Sequence, residues 1–203
     1  MPRAGLSRDA VVALALDVVD AGGPRGFEDL TLAAVAARAG VAVPSLYKHV
    51  GGLPDLRRQV ARCVLDDLAA RLADAADRAG ADPGAAPGAA LRALAGEIRA
   101  FAREHPGRYA ATQGSSWARD AGAADVEASA ARSVDLVAAQ VGALGVPAAR
   151  TVDAVRAFRA AVHGFVALEL AGGFGMPDDV DASFEYLVGT LVDALDARAD
   201  DRS

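Results

Sequence analysis

The sequence predicts an all-α protein, and three observations carry that prediction. Alanine dominates, while aromatic residues make up 5% of the 203-residue chain, a composition that suits close-packed helices better than sheets. Apolar side chains recur every three or four positions through most of the chain, the period of a helix with one buried face. Glycine and proline pairs interrupt these stretches where a helix must stop. No segment of note alternates with the period of a strand, and no internal repeat is present. With 53% hydrophobic residues the chain can bury a substantial core.

The first helix is expected over residues 7–21, capped by Ser7, with Asp9 at its positive end and Val11, Ala15, Val18 and Val19 inward. Gly22, Gly23 and Pro24 end it, and Phe27 in the following loop reads as core. A long helix from about Leu53 to Arg78 is marked by Leu56, Val60, Val64, Leu68 and Leu72, with Pro54 suited to its first turn. The stretch DPGAAPGAA at 82–90 reads as a linker, and a helix follows to about His105 with Leu91, Leu94, Ile98 and Phe101 inward. Pro106-Gly107 ends that helix, and a short helical segment containing Tyr109 leads to a polar loop and Trp117. Helical spacing returns over 121–144, about 147–171 and about 180–199. The last helix has a wide apolar stripe of Phe184, Leu187, Val188, Leu191, Val192 and Leu195.

Residues 31–58, TLAAVAARAGVAVPSLYKHVGGLPDLRR, organise the N-terminal part. Thr31 can cap a helix whose apolar face is Leu32, Val35 and Ala36. Gly40 stands where the chain must reverse through left-handed backbone. Val41 is expected to pin that helix to a second one, about Val43 to His49, which carries Ser45, Tyr47, Lys48 and His49. These side chains can all bond phosphates or base edges, and the pattern is a helix-turn-helix with a recognition helix.

The segment AVAARAGVAVPSLYKHVGGLPDL resembles the DNA-binding signature of the TetR/AcrR family of transcriptional regulators. In that pattern a helix ends in A-G-V, a short helix reads S/T-L-Y-x-H-F, and a turn leads into a long helix. Three positions depart from it. Ala42 stands where a capping Ser or Thr is usual, a loss of about 0.5–2 kcal/mol. Val50 replaces Phe, and GGLPD replaces a turn that usually carries Lys, a phosphate contact for which Arg57 or Arg58 is a replacement. In the body, AREHPGRYAAT and FRAAVHGFVALELAGGFG resemble the WHG-type ligand domain of certain members, with His163-Gly164 as the matching pair.

The division implied is a DNA-binding head at 1–52, a connecting helix at 53–80 and an effector-binding and dimerisation bundle at 81–203. Charge is divided accordingly. Residues 1–62 carry eight basic and six acidic side chains, whereas the whole chain has a net charge of −6. A basic head on an acidic body suits contact with nucleic acid. Lys48, the only lysine, lies on the expected recognition helix.

Tyr47 is expected to pack by its ring and reach a phosphate by its hydroxyl. Ser45 and Thr31 are phosphate donors or only helix caps, and His49 is a phosphate donor or a half-buried structural histidine. Val43 and Pro44 suit apolar contact with a thymine methyl. Further readout falls to Lys48, Arg38, Arg3 in the N-terminal arm, or DNA shape. For a small-molecule site the candidates are Phe101, Tyr109, Trp117, Phe158, His163 and Phe165, with Glu169 beside them. Apolar residues at this spacing also read as plain core, and His163 as a structural histidine where a neighbouring helix approaches Gly164.

An enzyme is not supported. The three histidines show no metal-ligand spacing, Cys63 lacks an activating neighbour, and no nucleophile elbow, P-loop or dinucleotide fingerprint occurs. No cofactor is expected. One cysteine, no signal-peptide pattern and no spanning apolar run point to a cytoplasmic protein without membrane contact. The expectation is a homodimeric regulator, paired through its last two helices as the resemblance implies. It is read as a repressor released from a pseudo-palindromic double-stranded operator by a small apolar effector, the alternative being a DNA-binding adaptor without an effector.

Overall fold

A computed structural model describes the chain over residues 6–113 and 124–200; Arg3 and Trp117 lie outside the described residues. Among those residues the chain is helical throughout its regular structure, with α1 at Arg8–Ala21, α2 at Leu32–Ala39, α3 at Leu53–Gly80, α4 at Ala89–Glu104, α5 at Pro106–Ala111, α6 at Ala124–Ala143, α7 at Thr151–Leu170 and α8 at Val180–Asp200. Short 3₁₀ segments occupy Gly23–Arg25, Val43–Lys48 and Ala148–Arg150. Two compact units divide the chain, one of Met1–Asp67 with Glu104–Ala130 and one of Leu68–Arg103 with Ala131–Ser203.

In the first unit, Ser7 Oγ accepts from Ala10 N at 3.1 Å and opens α1 as expected. Val11, Ala15 and Val19 are fully buried, and Val18 is half-buried at the edge of the stripe. Thr31 Oγ1 accepts from Ala34 N at 3.2 Å and opens α2. Gly40 closes α2 at φ 67°. There Val41 N donates to Ala36 O at 3.0 Å and Gly40 N to Ala37 O at 3.2 Å, the paired bonds of a Schellman turn. The turn aims Val41 outward at 37% exposure, so it is not the expected pin. Leu46 and Val50, both at most 2% exposed, hold the following segment instead.

Pro106 opens α5 rather than only ending α4, and α5 packs against α1 and the turn Gly23–Arg25. Gly107 permits that approach, because a Cβ there would lie 2.5 Å from Gly23 O and 2.7 Å from Val19 O. Arg108 fastens it through a bidentate pair with Asp20, its Nε donating to Oδ1 at 2.8 Å and its Nη2 to Oδ2.

The helix α3 contributes Leu56, Val60 and Val64 to the first unit's buried residues and Leu68 and Leu72 to the second's. Residues 82–88 form the turns before α4. In the second unit Leu91, Leu94, Phe101, Phe158, Val162, Val166, Phe184, Val188 and Val192 form the core. Ile98, expected inward, is only half-buried, and its neighbour Arg99 takes the buried position at 7% exposure. On α8 the wide stripe divides: Phe184, Val188, Val192 and Leu195 are buried, Leu187 and Leu191 half-buried.

Candidate nucleic-acid interface

The segment expected to be a recognition α-helix is a 3₁₀ helix, Val43–Lys48. Its bonds are short-range, from Ser45 N to Ala42 O at 2.9 Å and from His49 N to Leu46 O at 2.8 Å. Two local causes are visible. Ala42 has the extended backbone of an N-cap but supplies no side-chain bond, and Pro44 in the first turn has no N–H to offer.

The segment is two-faced. Leu46 is fully buried and Val50 follows it into the core, while Tyr47 is 58% exposed and Pro44 and Lys48 are exposed. Val43, Ser45 and His49 are half-buried at the margin. Tyr47 and Lys48 therefore share the outward side with Pro44, and Thr31 has its hydroxyl engaged as the α2 cap. Arg38 pairs with Asp17 on α1 at 3.1 Å, both partners about half exposed.

The turn after the segment is held by Asp55. Its Oδ2 accepts from Gly51 N at 2.8 Å and from Gln59 Nε2 at 3.0 Å, and Arg58 Nη2 donates to its Oδ1 at 3.3 Å. Burial pushes the Asp55 carboxyl up, but these bonds and the charges of Arg58 and Arg8 outweigh it and leave it lowered. Arg57 is committed too, its Nη2 donating to Glu28 O at 2.6 Å and to Leu30 O at 3.2 Å. The two arginines expected to replace the missing lysine are thus both engaged in holding the head together. Asp55 at the third position of α3 was readable as a capping residue; the Arg57 contacts, 27 and 29 residues away in sequence, were not.

The small-molecule candidates are less uniform. Phe101 and Phe158 are at most 1% exposed. Tyr109 is buried in the first unit, while the other described candidates belong to the second. Phe165 is half-buried, with its ring centroid 4.6 Å from that of Phe174 and 5.1 Å from that of Phe184. His163 is half-buried; burial, and then the charge of Arg159, lower its pKa. Apart from its chain neighbours and its own helix backbone, no atom of the described residues lies within 4 Å of a Cβ built at Gly164, so the close helix expected there does not come from this chain's described residues. A groove of about 540 Å³ does open beside α7 and α8, lined among others by Val146, Ala154, Leu191 and Leu195, and none of the candidates lines it.

Catalytic groupings are not in evidence among the described residues. No cluster of three or more His, Cys, Asp or Glu could hold a metal ion. Burial, with Asp66 and Asp67 nearby, pushes the Cys63 thiol up, away from the reactive thiolate. No described helix is long and apolar enough to cross a membrane.

A three-element head with a Schellman turn and an outward-facing Tyr47-Lys48 pair defines a helix-turn-helix DNA-binding protein. Residues 23–51 match the family described as bacterial regulatory proteins, tetR family, and residues 91–191 match a tetracyclin repressor-like C-terminal domain, the stretch that holds His163-Gly164. An uncharacterised HTH-type transcriptional regulator of Mycobacterium tuberculosis is 37% identical over 198 residues, 96% of this chain and 84% of the relative. A protein of unknown function from Rhodococcus superposes with a TM-score of 0.76 at 25% identity, over 96% of this chain and 98% of that one. A TetR variant from Acinetobacter baumannii in complex with minocycline shares the fold, with a TM-score of 0.65 at 21% identity over 96% and 99% of the chains. The chain belongs to the TetR family of DNA-binding transcriptional regulators. It is a regulator, not an enzyme.

Proposed function

We propose that the chain is a homodimeric repressor that sets residues 43–49 of each protomer in the major groove of a pseudo-palindromic operator. The observation that carries this is the two-faced recognition segment, with Leu46 buried and Tyr47 and Lys48 outward. Tyr47, Lys48, Ser45 and His49 serve phosphates, Val43 and Pro44 offer apolar contact to bases, and Thr31 fixes the entry to α2. In this reading the head ends near Gly52, α3 to Gly80 connects, and the rest binds effector and partner in the cytoplasm. Two-fold symmetry requires half-sites about 10 base pairs apart, or a multiple of that.

Dimerisation through α7 and α8 is supported by their outward apolar side chains. Val152 is 59%, Leu168 53% and Tyr186 77% exposed, and the space at Gly164 is open. A second copy covering these helices would supply the close neighbour that Gly164 lacks.

A small effector entering the body would favour a spacing of heads that no longer fits DNA, so the two bindings oppose each other reciprocally. The tetracyclin repressor-like domain match and the minocycline-bound relative support this part. Phe165 and His163, both half-buried, are the proposed points of contact, and Phe101, Tyr109, Phe158 and Trp117 are the further candidates. The complete burial of Phe101 and near-complete burial of Phe158 favours the second reading, an adaptor without an effector.

The test is binding of the purified protein to DNA flanking its own gene. Tight, selective binding that Tyr47→Ala with Lys48→Ala abolishes supports the reading; unchanged affinity overturns it. Sedimentation with Leu168→Glu and Tyr186→Glu tests the dimer, and a ligand screen by shifted melting separates regulator from adaptor.

A further inference from the structure

The DNA-facing turn lacks a lysine, and Arg57 and Arg58 are both engaged within the head. A different cation stands at the same turn. Arg8, at the start of α1, donates from Nε to the backbone carbonyl of His49 at 3.1 Å, bridging 41 residues of sequence. His49 is the residue that closes the recognition segment, so this bond ties the guanidinium directly to the element's C-terminal end. Arg8 is exposed, and among the described residues Nε makes its one hydrogen bond. The two terminal nitrogens, the pair that can engage a phosphate in a fork, make no hydrogen bond among the described residues. The nearby acid, Asp55, is already matched by Gly51 N, Gln59 and Arg58.

We propose that Arg8 is a DNA-phosphate contact, oriented by its Nε bond to the His49 carbonyl and taking the place of the absent turn lysine. The proposal rests on the reading of residues 43–49 as the DNA-facing segment. Anchoring by Nε limits the rotamer freedom that an exposed arginine would otherwise lose on binding. It also couples the arginine to the recognition segment, so a shift of one moves the other.

A phosphate contact has a signature that a structural role does not share. Each phosphate neutralised by a protein cation releases counterions and adds about 0.9 to the slope of log affinity against log salt. The experiment measures that slope on a random-sequence duplex of about 30 base pairs, for wild type, Arg8→Gln, Arg8→Lys, Arg57→Gln and Lys48→Ala. Folding of each variant is checked by helical circular dichroism and melting.

Arg8→Gln should lower the slope by about 0.9, so that wild type loses about 3.5-fold more affinity than the variant between 50 and 200 mM salt. Arg8→Lys keeps the charge and should restore most of the slope. Arg57→Gln should not lower it. An unchanged slope in folded Arg8→Gln overturns the proposal, as does a loss that Arg8→Lys shares in full. Should Lys48→Ala also leave the slope intact, the DNA-facing reading itself fails. A fall for Lys48→Ala alone confines the failure to Arg8.

Discussion

Arg99 and Glu169 form a two-pronged ion pair inside the second unit. Arg99 Nε donates to Glu169 Oε2 at 2.8 Å and Nη2 to Oε1 at 2.6 Å. Arg99 Nη2 also reaches Asp181 Oδ1 at 2.6 Å, and the guanidinium lies 4.7 Å from the Phe184 ring centroid. The bond to Glu169, against the opposing pull of burial, raises the arginine's pKa. The pair ties α4 to the end of α7, and Asp181 extends the tie to the start of α8.

Removing the arginine should therefore cost more than a surface pair would. Arg99→Ala leaves Glu169, only 17% exposed, with Arg103 at 4.0 Å as its remaining cation, so the cost should fall at or just below the lower end of the usual range for a buried pair broken from one side, about 3 kcal/mol. Arg99→Lys should recover little, because an ammonium cannot span both carboxylate oxygens. Urea unfolding at neutral pH reads both; a cost below that of an exposed pair would contradict the burial argument.

Asp55 gives a pH-dependent expectation. Its folded pKa is held below the ordinary 3.8, so the carboxylate contributes stability above that value and loses it as pH falls through the folded one. Asp55→Asn should be less stable than wild type at neutral pH, and the difference should shrink below the ordinary carboxylate value. Melting temperatures from neutral to strongly acid pH check the sign. A difference that stays constant with pH would remove the ionised form from the account.

Restoring the missing cap should help only slightly. Ala42→Ser places a hydroxyl at an extended N-cap position, but Pro44 has no N–H and Ser45 N already donates to Ala42 O at 2.9 Å. The gain should fall at the low end of cap effects, about 0.5 kcal/mol. Thermal unfolding measures it. A gain of about 2 kcal/mol would mean that the 3₁₀ segment converts to an α-helix with more donors to satisfy.

What the sequence made legible was local. Ser7, Thr31 and Gly40 lie where cap chemistry requires them, and the four-residue spacing of Leu56 to Leu72 predicted the buried face of α3. The misses came from long-range packing or competing local bonds. Arg99 sits in an apolar helix and finds Glu169 seventy residues on, a pairing that no pattern announces. Val41 looked like a pin because it is apolar and follows the turn, but the Schellman bonds fix its direction first. The membership of Glu104–Ala130 in the first unit follows the docking of α5 on α1, and linear order gave no sign of it. For residues 43–49 the chemical types were readable from the sequence, and the structure added which of them face outward.

Two glycines should respond oppositely to the same methyl group. At Gly107 the added carbon would meet backbone, Gly23 O at 2.5 Å and Val19 O at 2.7 Å, and neither atom can turn aside as a flexible side chain would. Gly107→Ala should push α5 off α1 and cost about 1–3 kcal/mol, the range for overfilled sites. Gly164 lies within α7, and beyond its own helix backbone no described atom comes within 4 Å of its would-be Cβ. There alanine removes glycine's helix penalty and should stabilise an isolated protomer by up to about 1 kcal/mol. Urea unfolding at low protein concentration compares the two. If a partner protomer packs at Gly164, the gain should vanish or reverse as concentration rises and dimer forms. A gain independent of concentration would leave α7 uncovered at that point and move the proposed interface elsewhere on the helix.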